Sequence, residues 1–299
     1  MKKSIWIFGI IFIIIINNGF AQDEELSPYF KVTEIKGSMK DAGTQVIEAI
    51  TENGWDVIGE YNPAKRDDIG VICFTNSDLK NLSLQFKDRG ALASVMRAGL
   101  MRHGDTVTVS ILNPEYVFLA YWGEQLNGQE QQLKDMSEKI KDIFRPMGKL
   151  TPFGGSEKSK DLPHYHYMMM MPYFDDPVEL NEFDSFEQGL ETIRKNLNAG
   201  KENTIKVFEQ TFPGKKIAVF GVGLWDKEEG EPAFLPVVGE SHIANLPYEI
   251  ILQGKEATML HGKYRIAIYW PELTMGTFMK ISGTPGDIED VMEVICGSE

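Results

Sequence analysis

The chain has 299 residues, with 44 acidic against 30 basic side chains and a formal charge of −14. This acidity, with no Lys/Arg-rich stretch to offset it, argues against a nucleic-acid partner. Only Cys73 and Cys296 are present, too few for a disulfide scaffold or a four-cysteine metal centre, and whether they pair is left open.

The first 21 residues read as a signal peptide. Lys2 and Lys3 precede an apolar run from Ile5 to Ile16, and the small residues Gly19 and Ala21 come before the acidic Asp23, Glu24 and Glu25. A spanning helix needs about 20 apolar residues, so the run is too short for a retained anchor. The expectation is export to a periplasm or the exterior, with no stable membrane insertion after cleavage.

Residues 22–145 form a first expected unit. Pro28, Tyr29 and Phe30 open it, and Ser38 caps an amphipathic helix carrying Met39, Ala42, Val46 and Ile50. Strands follow at 57–61 and 69–74 around Pro63, then β-prone runs around Met101, Arg102, His103, Gly104 and Asp105. His-Gly suits a turn because glycine tolerates positive φ. Pro114 and Glu115 precede an expected aromatic-rich strand, and a helix through Leu133, Met136, Ile140 and Ile143 closes the unit.

Residues 146–163, with Gly148, Gly154, Gly155, Ser156 and Ser159, read as a solvated linker. The same landmarks then recur over 164–299: Pro172, Tyr173 and Phe174; a helix capped by Ser185; strands at 205–208 and 217–220 around Pro213; Met259, Leu260, His261 and Gly262; Pro271 and Glu272; and a helix through Ile288, Val291, Met292 and Ile295. Five landmarks in one order imply an α+β chain of two tandem copies of a helix-plus-antiparallel-sheet unit.

In the second unit, Lys216–Gly221 ends a strand in Phe-Gly, and Leu246 and Pro247 enter the strand 248–252. These features resemble the DUF302 family over residues about 186–281, and more faintly the first unit. The resemblance implies a compact α+β fold and no assigned reaction. Two departures stand out: Phe220-Gly221 is followed by Val222-Gly223 rather than Asn-Pro, and the first unit has Ala93-Ser94 where Leu-Pro is expected.

The segment from His164 to Met171 is the most unusual in composition. As a strand it would align His164, His166, Met168 and Met170 on one face at about 7 Å intervals, a soft ligand set suited to copper. The alternative is a buried strand with methionine as filler. His103 and His261, with Glu115 and Glu272, look like repeat-equivalent acid/base pairs. About 40 Å of extended strand separates His from Glu in each, however, which favours turn and cap roles.

Gly221 and Gly223 lead into the acidic run 226–231 rather than a helix, so no dinucleotide loop forms and the run reads as solvated. Gly239-Glu240-Ser241-His242-Ile243 lacks the second glycine of a nucleophile elbow. With no strong catalytic motif, the leading expectation is a non-enzymatic binding or interaction protein whose ligand lies between strands and helices or between the units. Copper handling is the second reading, and an enzyme site assembled across the units the third. Among aromatic residues, Tyr29, Trp122 and Tyr173 are candidate surface positions.

Overall fold

A computed structural model describes residues 24–298 except 127 and 213. The expected leader and Pro213 therefore lie outside the described residues. The first half runs β1 (Glu25–Leu26), β2 (Tyr29–Lys36), α1 (Met39–Glu52), β3 (Asp56–Tyr61), β4 (Ile69–Thr75) and α2 (Ser77–Ser83). It continues through a 3-10 turn at Gly90–Ser94 into β5 (Met96–His103), β6 (Thr106–Leu112), α3 (Pro114–Trp122), α4 (Glu130–Phe144), β7 (Thr151–Phe153) and β8 (Glu157–Lys158).

The second half runs β9 (Val178–Glu182), α5 (Phe186–Asn198), β10 (Thr204–Phe212), β11 (Ile217–Leu224) and α6 (Glu231–Val238). A 3-10 turn at Glu240–Asn245 leads to β12 (Tyr248–Gln253), β13 (Glu256–Met259), α7 (Gly262–Tyr269), α8 (Met275–Phe278) and α9 (Thr284–Ile295).

The fold is α+β with antiparallel sheets. One sheet has the order β3-β4-β5-β6-β2-β7 and the other β10-β11-β12-β13-β9. Substituting each strand of the second half for its counterpart in the first reproduces the order, apart from the added β7. Ser38 and Ser185 both cap as their hydroxyls imply, each accepting from the backbone N–H three residues on.

Strand parity shows how the layers stack. Gly70 on β4 faces Met39 of α1 beside Leu100, whereas Gly99 on β5 faces Ile243 and Ala244. On the other sheet Leu252 faces Gly189 of α5, so Glu249 points away from that helix. Arg97 on β5 meets Glu249 there in an ion pair with both side chains buried. The helix-free faces of the sheets are thus turned toward each other, with helices outside, and the apolar core is continuous through both halves.

Several expectations change. The 146–163 stretch is not a free linker, because β7 pairs with β2 and β8 with β1. Residues 114–122 are helical rather than a strand: Pro114 supplies a preset φ at the first turn, and burial on nearly every side suits the aromatic composition. Tyr29 and Trp122 are fully buried, leaving Tyr173 alone of the three exposed. Cys73 and Cys296 are free and buried. Among the described residues no helix is long and apolar enough to cross a membrane.

Candidate functional site

Helices α3 and α7 meet where the two halves join, and their contacts are reciprocal. Tyr116 donates to the carbonyl of Ile268 at 2.7 Å, and Tyr264 to that of Ala120 at 3.3 Å. Tyr121 and Tyr269 share a hydroxyl–hydroxyl bond of 2.9 Å. Exchanging the helices exchanges these bonds, as an approximate two-fold relation requires. The sequence carries the signal as Tyr-x4-Tyr-Trp, at Tyr116, Tyr121 and Trp122 and again at Tyr264, Tyr269 and Trp270.

This register corrects two of the expected landmarks. His103 ends β5 in the hairpin turn with Gly104, whereas the corresponding β12–β13 turn holds Gly254. His261 is instead the N-cap of α7, its Nδ1 accepting from the Lys263 N–H. Glu115 lies in the first turn of α3, 3.5 Å from Lys141 Nζ, and Glu272 follows α7, with Oε1 3.2 Å from His242 Nε2. The two His–Glu pairs are therefore not equivalent, and neither pair is joined. Pro172, Tyr173 and Phe174 precede β9, whereas Tyr29 and Phe30 lie within β2.

The expected metal-binding strand is absent too: residues 164–171 are 3-10 turn and bend, so His164, His166, Met168 and Met170 do not share a strand face. His164 Nδ1 sits 2.6 Å from Glu124, and His166 stacks on Tyr173 at 4.4 Å. Among the described residues no group of three His, Cys, Asp or Glu side chains is placed to hold a metal ion.

A cleft lined by Tyr61, Asn62, Arg66, Ile205 and Trp225 opens between the halves, and buried polar contacts both brace the second half and join it to the first. Arg265 donates to the Asn245 side chain and to the carbonyls of Asn245 and Pro247, and its guanidinium lies 3.7 Å above the Tyr248 ring. Glu231, expected in a solvated run, is fully buried. It accepts from Tyr61 at 3.0 Å, Ala64 N–H at 2.7 Å and Leu224 N–H at 3.2 Å, so its carboxylate ties the halves together. Burial nonetheless pushes its pKa up to about 7.

Ser241 and His242 give the third candidate. Ser241 Oγ is 3.1 Å from His242 Nδ1, and Glu272 approaches the other ring nitrogen. That nitrogen is buried, and its approach to Glu272 lacks hydrogen-bond alignment. Burial also lowers the imidazole to about 4, leaving a weak base. The ring packs against Tyr29, Phe153 and Trp270.

One pocket combines concavity with apolar lining. Tyr167, Met168 and Met171 line one side and Ile266, Ala267, Trp270, Leu273, Met275 and Phe278 the other, with Lys263 as the one charged lining residue. It spans about 450 Å3 including its open mouth. Among the described residues, every substantially exposed large apolar side chain lies in 167–173 or 275–279, and Met170 is 96% exposed. Such concentration marks a binding surface more than scattered exposure does.

The first half shows why the pocket exists. There Phe86, Trp122 and Phe118 form a parallel stack with centroid spacings of 4.6 and 4.2 Å. Trp122 Nε1 donates to the Gly90 carbonyl at 2.9 Å. In the Tyr-x4-Tyr-Trp register Ile266 replaces Phe118, and Trp270 Nε1 is buried without a hydrogen-bond partner. No protein-family model matches the chain, and no curated protein matches it.

Proposed function

We propose that the chain is an exported, non-enzymatic binding protein built from two DUF302-like units, whose ligand enters the apolar pocket beside Trp270. The carrying observation is that this pocket is apolar but for Lys263, and that the two segments holding the exposed large apolar side chains of the described residues both contribute to its wall, through Tyr167, Met168 and Met275. Methionine suits such a wall, since its unbranched thioether adapts to the shape of an occupant. The clefts between the halves carry several charged residues in their walls, whereas the pocket beside α7 is apolar but for Lys263, which favours it as the ligand's place.

Native mass spectrometry of the purified protein, beside Ile266→Phe, tests this reading. Phenylalanine at 266 restores the ring found at 118 and fills the pocket. A non-covalent mass carried by the wild type and lost from the variant is expected; equal retention by both places binding elsewhere.

A second reading, soft-metal handling, draws support from three thioethers, Met168, Met171 and Met275, lining one pocket. Silver(I) titration of a Met168→Leu/Met171→Leu variant separates it from the first. Undiminished binding in the variant removes these sulfurs as ligands.

A further inference from the structure

We propose that the pocket beside Trp270 takes a single-chain amphiphile with an anionic head, a long-chain carboxylate whose carboxyl group meets Lys263. The inference rests on the binding reading above and adds the ligand's chemical class.

The pocket has two chemically distinct parts. Its wall is apolar: Ile266, Trp270, Leu273 and Phe278 present hydrocarbon, and Met168 and Met171 adapt around it. Burying an alkyl chain there is favourable in proportion to the area removed from water.

At the edge of this wall stands one charge. Lys263 is exposed and makes no ion pair among the described residues. It sits in the first turn of α7, where the helix dipole adds partial positive charge. A free cation beside an apolar wall, in a chain of charge −14, is complementary to an anionic head on an apolar tail. A neutral alcohol would gain from the wall alone, and a cationic amphiphile would meet Lys263 as a like charge.

The matching place on α3 lacks both parts. Phe118 and Phe86 close the space against Trp122, and position 115, which corresponds to Lys263 in the shared register, is the acidic Glu115. Ring loss and charge reversal thus coincide in one half.

The test is calorimetric titration of the purified full chain with decanoate, dodecanoate, dodecan-1-ol and dodecyltrimethylammonium, all below their aggregation thresholds. Dodecanoate is expected to bind at one site, about fourfold more tightly for each methylene added from decanoate. Lys263→Gln should weaken dodecanoate about tenfold and leave dodecan-1-ol unchanged, as loss of one charge-assisted contact predicts. Ile266→Phe should abolish binding of both.

If dodecan-1-ol binds as tightly as dodecanoate and Lys263→Gln changes neither, the anionic-head inference is overturned while the apolar pocket stands. If no alkyl probe binds, or Ile266→Phe binds them all as the wild type does, both fall.

Discussion

Helices α3 and α7 carry the same Tyr-x4-Tyr-Trp spacing and make reciprocal bonds, yet their outer sides differ. Around α3 three rings stack in parallel and the Trp122 indole N–H is satisfied. Around α7 the ring corresponding to Phe118 is replaced by Ile266, Trp270 lines a pocket and its N–H has no partner. The shared part holds the halves together; the divergent part supplies the proposed binding site. A buried donor without a partner costs about 1–3 kcal/mol, so the second half is stabilised less where it is concave.

The largest expected effect probes this difference. Phe118→Ala should cost about 3–5 kcal/mol, because it removes a fully buried ring from one face of Trp122 in a close-packed stack. Ile266→Ala, beside space already open, should cost nearer 2 kcal/mol, at the low end for such truncations. Urea unfolding of the two variants measures both, and equal losses would break the comparison.

Next in size is a pH effect on the link between halves. Glu231 keeps its proton up to about pH 7 in the fold against the usual 4.5, because burial disfavours its charge. Between those values the native state binds the extra proton, so stability falls as pH rises through the window, by roughly 3 kcal/mol. His242 acts oppositely: burial lowers it from 6.5 to about 4, so the unfolded state holds the extra proton there and stability rises with pH over that range. Unfolding midpoints for wild type and Glu231→Gln from pH 4.5 to 7.5 separate the two. The variant should lose the falling limb; identical profiles would show that Glu231 does not titrate in this range.

The smallest effect concerns the exposed methionines. Met170→Ser should change stability by less than about 0.5 kcal/mol, since the side chain is almost wholly in solvent. Thermal unfolding checks this, and a loss above 1 kcal/mol would mean that the 168–171 turn helps hold the fold together.

Much of the architecture was legible in the sequence. Serine caps with 3.6-residue periodicity located α1 and α5, and alternating apolar runs around Pro63 and Pro213 located the strands on either side, because these signals are local. The matching strand order of the two sheets is in keeping with the expected repeat, but His-Gly and Pro-Glu are short pairs that recur without structural equivalence. Tyr-x4-Tyr-Trp was the better signal, since spaced aromatic residues are held by packing on both helices.

Other features depend on which surfaces meet. Glu231 sits in an acidic run that reads as solvated, and only its approach to Tyr61 and Ala64 of the other half makes it a buried link. His164 to Met171 has strand-like composition, yet it joins no sheet and turns instead. The sequence by itself determined the α+β class, the helix caps, the strand runs and the acidity, each through interactions over a few residues. The tertiary structure alone decided that the helix-free faces of the sheets are buried together, with Arg97 and Glu249 paired between them, and that the space beside Trp270 stays open, because both depend on side chains more than a hundred residues apart in the chain.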